Sequence, residues 1–381
     1  MQRRTFLRAT TTGAGALAFS GALWQGAAVP VAHAAPDPGP YGPLLPPNEL
    51  GVALPAGFSV RMVARSSRLV RGYVWHPAPD GGACFPDGDG WIYVSNSEVP
   101  LVGGASALRF RPDGLVDRAY RILGGTTLNC AGGATPWHTW LSCEETFRGK
   151  VFETDPYGQR AAVAHPAMGR FKHEAAACDP DREVVYLTED ESDGCFYRYR
   201  PDSWGDLSRG RLEVLCETAG GGVGWQPVPD PSGPLLGRQT RHQVPDALHF
   251  RGGEGCHYNA GVCFFTTKGD DRVWAYDAEA GELSVVYDAD GSLDGVDNVT
   301  GVAGGDLYVA EDGGNMEINI ITPEGVVAPV LRIDGQRDSE ITGPAFSPDG
   351  SRLYFSSQRG TAGDPAGLGG ITYEMSGPFR R

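Results

Sequence analysis

One short strand pattern recurs six times along the chain and dictates what it can fold into. It reads Trp91-Ile-Tyr-Val-Ser95, Trp140-Leu-Ser-Cys143, Tyr186-Leu-Thr188, Phe264-Phe-Thr-Thr267, Leu307-Tyr-Val-Ala310 and Leu353-Tyr-Phe-Ser356. Aligned on Tyr93, Trp140, Tyr186, Phe264, Tyr308 and Tyr354, the copies are spaced by 47, 46, 78, 44 and 46 residues. The long step is one period plus about 32 residues, which the loop-like stretch Pro201–Phe250 can supply. Six even copies of alternating strands, joined by Asp-Gly and Gly-Gly turns, predict an all-β chain. The expected fold is a six-bladed β-propeller with an insertion around residues 201–250. A sandwich or jelly roll would not require such even spacing. The 55 Gly and 29 Pro residues argue in the same direction, because that density of helix breakers excludes a helical bundle.

The first 34 residues read as an address rather than as part of the fold. Arg3-Arg4-Thr5-Phe6-Leu7 precedes an apolar small-residue run from Ala14 to Val31 and an Ala32-His33-Ala34 cleavage pattern. These are the parts of a bacterial twin-arginine export signal. Residues 35–57 are expected to be an extended Pro-rich lead-in, and residues 58–381 the propeller. The expected location is periplasmic or secreted, with the twin-arginine export machinery as a partner and no membrane association after cleavage. All eight Cys lie beyond the signal, in a compartment that permits disulfides, and their pairing cannot be read from spacing. A formal charge of −15 excludes a uniformly basic nucleic-acid surface and favours cations as ligands.

Acidic residues fall at recurring places in the repeat. Each strand copy from the second onward is preceded by a polar residue that opens a Gly- or Ala-rich strand: Cys130, Glu174, Glu254, Asn298 after Asp297, and Glu340. Several copies also end in acids, namely Glu98, Glu144 and Glu145, Glu189 and Asp190, and Glu311 and Asp312. In an antiparallel hairpin the start of one strand and the end of the next share an edge. Both sets should therefore gather at one mouth of the central channel, with the Gly-rich strand innermost. So many carboxylates around one opening repel each other unless cations neutralise them. Carboxylate oxygens suit calcium or magnesium, and a thiolate among carboxylates can hold iron. The chain has no G-x-S-x-G elbow and no P-loop, and His173-Glu174 lacks the second His of a zinc-protease helix.

Several of these segments resemble the PhoX-type alkaline phosphatase family. The resemblance rests on Asn129-Cys-Ala-Gly-Gly-Ala-Thr-Pro-Trp-His-Thr-Trp-Leu-Ser-Cys-Glu-Glu145, Gly169-Arg-Phe-Lys-His-Glu174, Tyr186-Leu-Thr-Glu-Asp190 and Gly343-Pro-Ala-Phe-Ser-Pro-Asp-Gly350. Asn96-Ser-Glu98 and Phe250-Arg-Gly-Gly-Glu-Gly255 are similar to two further family motifs, so the likeness spans roughly residues 85–360. It implies an exported propeller that hydrolyses small phosphate monoesters with iron and calcium. The family's iron-ligating Cys maps onto Cys130 rather than Cys143. Its metal-binding acids map onto Glu144 or Glu145, Glu174, Glu254, Asp297 and Glu340, with Glu98, Glu189 and Glu311 as weaker matches. Its phosphate-contacting Arg maps onto Arg251, which with Glu254 forms the implied catalytic pair. Arg251 stands three residues before Glu254 where the family pattern has two, a spacing that allows the Arg to point away from the phosphate. Two other readings fit the acid ring without the resemblance: a calcium-stabilised binding or scaffold propeller, and a calcium-dependent lactonase-like hydrolase.

Overall fold

A computed structural model of the chain describes residues 39–233, 235–312 and 314–381. The proposed export signal at residues 1–34 lies outside them. Among the described residues, six antiparallel sheets form the blades of a propeller, beside a two-stranded ribbon of Leu69–Val70 and Tyr73–Val74. Blade 1 comprises Pro79–Asp87, Gly90–Ser97, Gly103–Phe110 and Val116–Thr126. Blade 2 comprises Asn129–Ala134, Trp140–Glu144, Val151–Thr154 and Val163–Ala164. Blade 3 begins with His173–Asp179 and Val184–Glu189, and blade 4 with Gly253–Asn259 and Val262–Thr267. Blade 5 begins with Val296–Gly301 and Leu307–Glu311, and blade 6 with Ile341–Phe346 and Arg352–Ser357. Among the described residues the only helices are four short 3-10 turns, and none is long and apolar enough to cross a membrane.

The ring closes through the N-terminal part of the chain. Ser59–Arg65 pairs with Ile371–Ser376 and becomes the outermost strand of blade 6. Arg61 crosses this seam to the buried Glu374 at 2.7 Å, and Arg352 reaches the same carboxylate at 2.7 Å. The Pro-rich lead-in is also built into the fold: Val52–Ala53 pairs with the outer strand of blade 5, and Tyr41 packs edge-on against Phe58.

The stretch Pro201–Phe250 differs from the expected loop. Gly194–Ser203 and Asp206–Glu217 form a long hairpin, and Val223–Pro227 adds a fifth strand to blade 3. Only the segment from 228 to 248 lacks strands, and His249–Phe250 then pairs back onto Gly194–Cys195. The extra residues therefore thicken one blade rather than hide a seventh.

No single central core exists. Each interface between adjacent blades has its own apolar cluster, because a strand in mid-blade sends alternate side chains towards its two neighbours. Val185 and Leu187 face blade 2, whereas Tyr186 faces blade 4. The six aligned aromatics are all buried, but they do not share one register. Tyr93 and Trp140 pack towards the preceding blade, and Tyr186, Phe264, Tyr308 and Tyr354 pack towards the following one. Matching residue type aligned the first two copies one position out of step.

The innermost strands pass so close to one another that side chains would obstruct them. A Cβ on Gly133 would collide with the carbonyl of Ala176 in the next blade, and one on Gly255 with the backbone of Val299. Further along the channel the six inner strands line a cavity of about 350 Å³.

Candidate metal centre

Every inner strand has its pairing interrupted by a bulge within its first few residues. A bulge re-aims the side chains beside it. In blades 1 to 5 the residue just after the first paired position is Asp80, Cys130, Glu174, Glu254 or Asp297. On the partner strand, the residue just after the corresponding pair is Glu98, Glu145, Asp190, Lys268 or Asp312. These two series meet at one edge of the ring.

Their ligand atoms form four overlapping groups, each with its three atoms within 4.8 Å of one another. The groups are Asp80–Glu98–Cys130, Cys130–Glu145–Glu174, Glu174–Glu254–Asp297 and Asp297–Asp312–Glu340. Cys130, Glu174 and Asp297 each belong to two of them, so eight carboxylates and one thiol make a continuous chain of donors. The structure thus brings together Cys130, Glu98, Glu145, Glu174, Glu254, Asp297 and Glu340 from the sequence-derived set. It selects Asp312 from the strand-end acids and adds Asp80. Asp80 stood 13 residues before Tyr93, within the spacing seen in the other copies, so its signal was present.

Glu144, Glu189 and Glu311 are not in these groups. Each sits one residue before the ring position, and a one-residue step along a strand reverses the direction of the side chain. The Glu144 carboxylate accepts the amides of Thr127 at 3.1 Å and Lys150 at 3.2 Å. Glu189 accepts from the Tyr197 hydroxyl at 2.7 Å and pairs with Arg241 at 3.1 Å. Glu311 accepts the Asp294 amide at 3.0 Å and the Asn319 side-chain amide at 3.2 Å. Arg251 is exposed, its carbonyl holds the Gly269 amide at 2.8 Å, and its guanidinium has no ion-pair partner among the described residues.

The donor set fits bound cations. Glu174 is fully buried, and among the described residues neither of its carboxylate oxygens has a hydrogen-bond partner. A buried carboxylate without a partner is costly unless a cation or proton joins it. Burial, reinforced by Glu254 and Glu145, holds the Glu174 carboxyl well above the ordinary range. Burial likewise raises Asp80, Glu254 and Glu340, and pushes Glu145 up to about 8 with Glu98 adding to the effect. The Cys130 thiol is raised by burial and then by Asp80 and Glu174. A bound cation would reverse these shifts, because a coordinated thiol or carboxyl gives up its proton.

Neighbouring side chains hold the ring in place. Asn96 donates to the carbonyls of Cys130 at 2.9 Å and Ala131 at 2.8 Å. Its own carbonyl oxygen accepts from Trp140 Nε1 at 2.9 Å and Ser142 Oγ at 2.8 Å. Gln358 donates to both Asp80 and Glu98, at 2.7 and 2.8 Å. Lys172 pairs with Glu145 at 3.0 Å, and Arg359 with Glu340 at 2.6 Å.

The fold and the site define a six-bladed propeller that gathers a thiol and eight carboxylates, a donor set able to hold metal ions. The chain belongs to the alkaline phosphatase PhoX family, whose sequence profile matches residues 93–285. That match includes Cys130, Glu145, Glu174 and Glu254. The fold is similar to that of Pseudomonas fluorescens PhoX, solved in complex with vanadate, a transition state analogue, with a TM-score of 0.70 and 16% identity over 88% of this chain and 97% of that one. It is also similar to XC5397 from Xanthomonas campestris, a gluconolactonase, with a TM-score of 0.54 and 14% identity over 89% and 99% of the two chains. No functionally curated protein matches the sequence.

Proposed function

We propose that this chain is an exported, metal-dependent phosphatase that hydrolyses small phosphate monoesters at the carboxylate–thiol ring, with iron and calcium as cofactors. The observation that carries this reading is Glu174, whose two unpartnered oxygens lie between Cys130 on one side and Glu254 and Asp297 on the other. Cys130 supplies the soft donor that favours iron, and the outlying carboxylates supply the hard oxygens that favour calcium. Bound there, the metals would supply positive charge for the phosphoryl oxygens and activate water for attack. Glu174 and Glu254 anchor the two inner groups from adjacent blades. Arg251, exposed and without a carboxylate partner among the described residues, is available to steady the phosphate dianion. The twin-arginine pattern supports delivery of the folded protein out of the cytoplasm.

The test is elemental analysis of the exported protein together with turnover of a chromogenic phosphate monoester. Iron and calcium in the sample, turnover by the wild type, and loss of turnover in a folded Glu254→Gln variant are the expected results. Calcium alone with no turnover would overturn the proposal and leave a calcium-stabilised scaffold.

A further inference from the structure

Lys268 breaks the charge pattern of the ring. At the position after the second strand's first paired residue, blades 1, 2, 3 and 5 carry Glu98, Glu145, Asp190 and Asp312. Blade 4 carries a lysine at this position, one of only three in the chain. Its ammonium lies 2.7 Å from Asp312, 3.2 Å from Asp297 and 3.7 Å from Glu254. Calcium would approach the same oxygens to about 2.3–2.6 Å, so an ammonium at this point and a divalent ion compete for one space.

The backbone keeps the lysine there. The Lys268 amide donates to the carbonyl of Gly252 at 2.9 Å, and the residue opens a 3-10 turn over Lys268–Asp270. Thr267 fastens that turn by donating to Asp270 at 2.6 Å, and Trp274 Nε1 donates to Thr267 at 3.0 Å.

The four donor groups are therefore not equivalent. In Asp297–Asp312–Glu340 all three acids are already matched by basic side chains: Lys268 holds two and Arg359 the third. Asp80–Glu98–Cys130 meets the neutral Gln358 and Gly81 amides, Glu145 alone in the next group is matched by a lysine, Lys172, and neither oxygen of Glu174 has a hydrogen-bond partner among the described residues. We propose that Lys268 is a resident cation that takes the place of a divalent ion in the Asp297–Asp312–Glu340 group, which confines metal uptake to the part of the ring around Cys130 and Glu174. This rests on the reading of the ring as a metal centre, and it makes Lys268 a determinant of metal number rather than a catalytic residue.

The test compares divalent-ion content of the wild type, Lys268→Gln and Lys268→Arg after stripping and equilibration with calcium, by elemental analysis and calorimetric titration. Lys268→Gln is expected to gain about one calcium per chain over the wild type, and Lys268→Arg to gain none. Should Lys268→Gln be unstable without metal, millimolar calcium is expected to restore its melting temperature to that of the wild type. A wild type that binds metal, paired with a Lys268→Gln that gains none or is not rescued by calcium, overturns this inference alone. A wild type that binds no metal overturns the metal centre itself.

Discussion

Cys130 and Glu174, on the inner strands of adjacent blades, place a thiol sulfur and a carboxylate oxygen within 4.8 Å of each other, and Glu145 completes the triangle. One soft thiol beside two hard carboxylates gives a selective site. Cys130→Ser changes little in volume but replaces the soft donor by a hard one. The variant is expected to keep its calcium and lose its iron, with loss of any visible thiolate-to-iron absorption. Elemental analysis and the absorption spectrum check both, and a serine variant with full iron content would remove Cys130 from the ligand set.

Asn96 of blade 1 is in none of the donor groups, yet it satisfies four groups of blade 2: two carbonyls, an indole N–H and a hydroxyl. Asn96→Ala leaves those buried partners unpaired. A loss of about 2–4 kcal/mol in unfolding free energy is expected, measurable by denaturant titration of the metal-free protein. Because Asn96 fixes the backbone that carries Cys130, metal affinity at that group should also fall by roughly 10–100-fold. An alanine variant with unchanged metal affinity would show that the strand pairing alone positions the thiol.

The repeat made the number of blades legible, because an even period with turn residues has few other solutions. The places where acids gather were legible to within one residue along each strand, apart from Asp80, which was passed over. Acids at strand ends were visible in the sequence, but Glu144 and Glu145 differ only in which side of the strand they occupy, and pairing register decides that. The bulge at each inner strand is set by backbone geometry with no fixed residue signature, so Glu189 and Glu311 could not be separated from Asp190 and Asp312 by spacing. The roles of Lys172 and Lys268 depend on contacts between adjacent blades, which the pattern of a single strand does not show. The strands of Asp206–Glu217 and Val223–Pro227 were hidden by Gly, Pro and charged residues at exposed positions on the outer part of a blade.

Arg251 tests whether a rim cation serves the phosphate. Its guanidinium is exposed and unpaired among the described residues, so its removal should cost the fold little. Arg251→Ala is expected to raise KM for a phosphate monoester by about tenfold or more, the value of one charge-assisted contact, while metal content stays constant. Steady-state kinetics beside elemental analysis separates the two effects. An unchanged KM would mean that the arginine points away from the substrate, as its spacing from Glu254 allows.

Glu189 offers a pH signature that does not involve the ring donors. Burial pushes its carboxyl up to about 7, although the Tyr197 hydroxyl and Arg241 oppose the shift. In the unfolded chain the group returns to the ordinary glutamate value, so between about pH 4.5 and 7 the folded state holds more of the proton. The associated stability is fully present below that window and is lost as pH rises through it. Glu189→Gln removes the titration while keeping an oxygen for Tyr197 and Arg241. In metal-free buffer the two proteins are expected to unfold alike near pH 4.5. By pH 8 the Gln variant should be the more stable, by at most about 3 kcal/mol. Denaturant unfolding of both proteins across this range decides the matter. A wild type more stable than Glu189→Gln at pH 8 would show that the ion pair with Arg241 outweighs the cost of burying the charge.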